Sequence, residues 1–190
     1  MKKYNIPLLL KISNVVILFL ALWSFFYFEP SAILRVLVVL LGIIGLWQIN
    51  SNIEILSLIN LYIGVNGLYN VRYGLAVPMA VIMIAVMGLT CLIFYNYVIL
   101  KNFSHEENDL SMVFMLTVGL IVIEIFLTMS FWPVDPKTKS LVITAIFFLI
   151  SKIIYLYANS MLSLKRAFGF VLVSLLVMGA VISLGWFVSF

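Results

Sequence analysis

Long apolar stretches separated by short polar breaks fill this chain from end to end. A helix needs roughly 20 residues to cross a hydrocarbon core of ~30 Å. Seven windows meet or approach that length: residues 7–28, 32–49, 53–73, 75–100, 110–132, 140–159 and 167–188. Runs this long predict helices, because barrel strands would be about 10 residues of alternating character. The breaks carry turn chemistry: Glu29-Pro30-Ser31, Asn50-Ser51-Asn52, Arg72-Tyr73-Gly74, and a loop holding Pro133 and Pro136. Asn108 or Asp109 is expected to cap the fifth helix and Ser140 the sixth. The pattern predicts an all-α, polytopic transmembrane helix bundle in which residues 1–190 form one membrane domain. Seven spans are favoured, with six as the alternative.

The third window decides between six and seven, since it holds Glu54, Asn60, Asn66, Asn70 and Arg72. The distribution of basic residues does not choose. Either count leaves six Lys and Arg on the N-terminal side and four opposite, so both place the N-terminus in the cytoplasm. Helical geometry says more. Tyr62, Asn66, Tyr69 and Tyr73 share one face, and Asn60, Gly64 and Gly67 share another about 160° away. A helix lying on the membrane would show a single face rich in Lys or Arg. Mild polarity on two sides, with small residues that allow close approach, suits a span enclosed by its neighbours.

Composition narrows the function classes. The chain is 65% hydrophobic and 9% charged, with a mean hydropathy of +1.25, where soluble domains are about half apolar and a quarter charged. Its longest polar stretch is residues 101–109, which leaves no room for a separate soluble catalytic module. The net charge of +4 comes from basic residues placed singly at segment ends. No basic stripe exists to neutralise phosphates, so nucleic acid is not an expected partner. Met1-Lys2-Lys3 and the following apolar run lack a small-residue cleavage site, which predicts an uncleaved first span. The expected surroundings are a lipid bilayer, as in a prokaryotic cytoplasmic membrane, with other membrane proteins or a second copy as partners. Ser24 to Pro30 and Ser130 to Pro136 echo each other as Ser-Phe, three residues, acid, Pro. That echo would fit two three-helix repeats around a linking fourth helix.

The polar residues inside the windows are the candidate chemistry. Glu124 and Lys152 lie on consecutive helices, nine residues before Pro133 and twelve after Ser140. These depths are similar at 1.5 Å per residue. Either charge alone at the bilayer centre costs roughly 3 kcal/mol on insertion scales, so the two are expected to meet. Thr117 and Thr128 share the face of Glu124, and Tyr155 and Asn159 that of Lys152. The resulting seam is either a path for an ion or polar solute or a buried ion pair that fixes helix register. Asn60, Asn66, Asn70, Tyr62 and Tyr69 are either interhelical glue or the wall of a cavity shared with that seam. Lys11 and Asn14 are expected at the interface.

Metal and cofactor signals are missing. His105 stands beside Glu106, Glu107 and Asp109, but neighbouring loop residues rarely converge on one ion, and no second histidine is present. Cys91 is the only cysteine, so no internal disulfide can form. Nucleophile elbows, zinc-protease histidine pairs and glycine-rich phosphate loops are all absent, and the chain is not expected to be an enzyme. Two readings remain: a non-catalytic component that docks or assembles other membrane proteins, or a small transporter or channel using the Glu124–Lys152 seam.

Overall fold

A chain with so few polar side chains must satisfy its backbone within each segment, and helix does that without a partner strand. The computed structural model describes residues 6–28, 31–48, 52–101, 108–161, 163, 165, 167–176 and 179. The protein is an all-helical bundle. Its helices are α1 (Ile6–Phe28), α2 (Ala32–Gln48), α3 (Ile53–Leu75), α4 (Met79–Leu100), α5 (Asn108–Ser130) and α6 (Pro136–Ala158), followed by a shorter apolar helix α7 (Ala167–Leu176). Among the described residues, four stretches are long and apolar enough to cross a membrane: Leu8–Phe28, Met79–Leu100, Met112–Ser130 and Pro136–Ala158. The His105 loop and the last part of the seventh window lie outside the described residues.

The helix most doubtful from sequence is the centre of the bundle. α3 packs against α1, α2, α4 and α6, and it buries Ser57, Asn60, Asn66 and Tyr69 together with its apolar residues. Its small residues allow this enclosure. A Cβ added at Gly67 would stand 2.6 Å from Ser24 Oγ on α1, so α1 and α3 touch there almost backbone to side chain. The main core joins α3, α4, α5 and α6 through Leu61, Val65, Tyr69, Phe94, Phe126 and Phe147. A second cluster joins α1, α2 and α3 through Leu18, Phe25, Val38, Leu56 and Ile63. α2 is peripheral: only Val38, Gly42 and Gly45 are buried on it, and Ile33 and Trp47 are among its exposed residues.

Three helix starts differ from those read in the sequence. α6 begins at Pro136, not Ser140. Asp135 is its N-cap, with its carboxylate accepting from the Thr138 N–H at 3.2 Å. Aspartate before a proline in the first turn is the stronger start signal. Ser140 sits one turn inside and returns its hydroxyl to the Pro136 carbonyl. α4 begins at Met79, behind the Pro78 N-cap, because Ala76 takes a left-handed conformation (φ 51°) that closes α3. Asn108 and Asp109 are already helical.

Candidate functional site

Short connections make successive helices alternate in direction, which gathers the polar residues at the two ends of the bundle. At one end lie the starts of α1 and α3 and the ends of α4 and α6. Glu54, the second residue of α3, is there the shared acceptor of two lysines. Lys152 Nζ on α6 is 2.5 Å from Glu54 Oε1, and Lys101 Nζ at the end of α4 is 3.6 Å from Oε2. Glu54 and Lys152 are mostly shielded, with side-chain exposures of 16% and 18%, whereas Lys101 reaches 31%. Aromatic faces surround the cations. Lys101 lies 5.4 Å from the Tyr155 ring centre, and Lys152 lies 5.7 Å from Phe148 and 5.8 Å from Phe170 of α7. Such placements stabilise a partly desolvated ammonium. Among the described residues, two cations face one carboxylate, which sets one positive charge in excess.

A shell of amides lies nearby, between α1, α3 and α4. Asn14, Asn60 and Asn96 are all fully buried. Asn60 Nδ2 donates to the Asn14 carbonyl at 3.1 Å, and Asn96 Nδ2 donates to Ser13 Oγ at 2.9 Å. The Oδ1 atoms of Asn60 and Asn96 have no hydrogen-bond partner among the described residues.

The opposite end is organised by tyrosine and lysine. Tyr69 OH donates to the Phe126 carbonyl of α5 at 3.0 Å, and its ring stacks on Phe126 with centroids 4.2 Å apart. Lys139 near the start of α6 is only 4% exposed. Its Nζ donates to Tyr73 OH at 3.3 Å and lies within 5.6 Å of the ring centres of both Tyr69 and Tyr73.

The seam expected from the sequence is not assembled. Lys152 faces α3 and meets Glu54, while Glu124 is exposed on the outer surface of α5. Thr117, Glu124 and Thr128 do share a face, as their spacing required, but that face points away from the bundle. The threonine hydroxyls return to their own helix, at Val113 O and Glu124 O, both 2.8 Å. Tyr155 joins the lysine cluster. Asn159 is the C-cap of α6, its Nδ2 donating to the Tyr155 carbonyl.

The polar residues of α3 are distributed among its several neighbours rather than along one wall. Tyr62 packs with the α1–α2 cluster and Tyr69 against α5. Asn66 accepts from Asn70 at 3.5 Å within α3. Asn14 is a correction to its expected interfacial position, since it is buried against Asn60.

Sequence reasoning missed Glu54 as the partner of Lys152, and it missed Lys139 and Asn96. One signal was present. With directions alternating, residues 54, 101 and 152 all fall at the same end of the bundle, so the only acid among them is the common partner. Among the described residues no group of three His, Cys, Asp or Glu side chains is placed to hold a metal ion. Compared with protein-family models, curated proteins and solved structures, the chain finds no match.

Proposed function

We propose that the chain is a non-catalytic, multi-pass membrane component that docks another membrane protein through the outer face of α5. In this reading all seven helices cross a prokaryotic cytoplasmic membrane, with the N-terminus in the cytoplasm. The carrying observation is Glu124. It lies inside the apolar stretch Met112–Ser130, six residues or about 9 Å from the helix end, and it is exposed. Facing lipid, an ionised carboxylate there would cost roughly 3 kcal/mol. A neighbouring span that offers a hydrogen-bond donor removes that cost. The flanking exposed residues Leu116 and Leu120 supply apolar packing on the same side, and the two threonines leave narrow side chains between them.

Charge complementarity assigns the occupant as a span carrying Lys, Arg or His near mid-depth. A second copy is disfavoured because a two-fold contact on this face would oppose one Glu124 to the other. Removing one member of a desolvated charge pair weakens association by ~2–5 kcal/mol. Photo-crosslinking from residue 120 in native membranes is therefore expected to capture one stoichiometric membrane protein. Glu124→Leu should reduce its recovery at least tenfold while the bundle melts as before. Undiminished recovery from the variant, or a lone chain after gentle extraction, would refute the docking role.

A second reading, transport of an ion or polar solute, draws support from the partnerless amide oxygens of Asn60 and Asn96. It separates from the first by residue: uptake that survives Glu124→Leu and disappears in Asn60→Leu would favour it.

A further inference from the structure

A cleft of about 330 Å³ lies between α3, α6 and α7, beside the lysine cluster. Leu58, Leu141, Phe148, Val173 and Ser174 contribute to its lining, and its volume lies at the small end of the range of ligand sites, ~300–1,000 Å³. Along α6 the residues Leu141, Thr144, Phe148, Lys152 and Tyr155 follow one another at steps of three and four, so cleft and cluster form a single stripe on that helix. Phe148 belongs to both, for it lines the cleft and lies 5.7 Å from Lys152 Nζ. Phe170 crosses it edge-on at 6.3 Å, making an aromatic neck between the apolar part and the charged part. Above the neck, Glu54 is the one acid facing two lysines among the described residues, and Lys101 has the longer contact and the greater exposure, so it is the one placed to meet a further anion. On the cleft wall Ser174 is 3% exposed, and its hydroxyl has no hydrogen-bond partner among the described residues.

We infer that this stripe is a binding site for one anionic phospholipid of the surrounding bilayer, its acyl chain in the α3–α6–α7 cleft and its phosphate at Lys101. The chemistry follows from three properties on one face: a predominantly apolar lower half, two lysines set against one acid among the described residues, and a position at the helix ends where headgroups lie. Lys101 ends α4 and Glu54 begins α3, while Lys152 lies about 9 Å deeper and extends toward them. The site is independent of the α5 docking face and stands whether or not that role holds.

The test compares lipid retention and thermal stabilisation of the full chain purified in mild detergent. Phosphatidylglycerol, phosphatidylcholine and inorganic phosphate serve as separate probes. One retained phosphatidylglycerol per chain is expected by native mass spectrometry, with stabilisation by that lipid only. Lys101→Gln keeps the closer Glu54–Lys152 pair and should lower the preference for the anionic over the zwitterionic lipid about fivefold, as one lysine at a membrane surface does. Ala145→Phe fills the cleft, of which Ala145 is a lining residue, and should abolish retention while the lysine cluster persists. Equal binding of both lipids, equal stabilisation by inorganic phosphate, or unchanged retention in Ala145→Phe would each overturn the assignment.

Discussion

Replacing Glu54 by glutamine is expected to destabilise the bundle by about 3 kcal/mol, because it leaves two lysines facing each other in a mostly shielded site. For a chain of this size that corresponds to a fall in melting temperature of roughly 6–12 °C. The magnitude follows from burial: Glu54 and Lys152 are 16% and 18% exposed, so water replaces little of the lost attraction. Lys152→Gln placed in the Glu54→Gln background should recover most of the loss, since removing both members of such a pair is often nearly neutral. Lys101→Gln alone should cost under ~1 kcal/mol, as expected of a longer and more exposed contact. Melting of these proteins together with the single Lys152→Gln variant in mild detergent gives the coupling directly. If Glu54→Gln melts like the parent, or if the second substitution adds to the loss, the lysines are not held by Glu54.

That experiment also measures the difference between depth and direction. Hydropathy located the helices α1 to α6, because run length and turn residues are properties of the sequence taken locally. Depth could be counted too, and it placed Glu124 and Lys152 at comparable levels. What a count along the axis lacks is the rotation of each helix about that axis, which packing decides. α5 turns Val118, Val122 and Phe126 into the core, and Glu124 follows to the outside because it lies about 160° from the mean direction of those three. Lys152 is turned toward α3 by Phe147 and Ser151, which are buried beside it. The helix α3 was legible as enclosed because polarity on two faces admits no lipid-facing side, yet its partners were not. Asn14 looked interfacial from its place in the chain, but Asn60 draws it inward. At α6 the error was one of punctuation: Asp135 and Pro136 were read as a break when they are the start of the helix.

The two ends of the bundle solve the same problem with different chemistry. At one end an acid neutralises the buried lysine; at the other, Lys139 is held by tyrosine rings and a phenol oxygen. An ion pair holds its lysine by an opposite charge, whereas Tyr69 and Tyr73 hold Lys139 by their ring faces and a hydroxyl oxygen. Among the described residues the glutamate end sets two lysines against one acid, and the phospholipid site inferred above lies there.

Tyr69→Ala should be the most damaging single substitution at the lysine–tyrosine end, at about 3–5 kcal/mol, which is the range for emptying a buried aromatic site. The side chain is fully buried, and three contacts converge on it: Phe126 stacked at 4.2 Å, the Phe126 carbonyl at 3.0 Å, and Lys139 at 5.5 Å from the ring centre. Tyr69→Phe keeps the first and third and removes only the second. The carbonyl still accepts Ser130 Oγ at 2.7 Å, so no buried acceptor is orphaned and the loss should stay near 1 kcal/mol. Tyr73, 52% exposed, donates less packing, and Tyr73→Phe should matter only through Lys139, at about 1 kcal/mol. The order Tyr69→Ala well below Tyr69→Phe, with Tyr69→Phe close to Tyr73→Phe, is what thermal melting should show. A phenylalanine variant as damaged as the alanine one would mean that the hydroxyl, not the ring, ties α3 to α5.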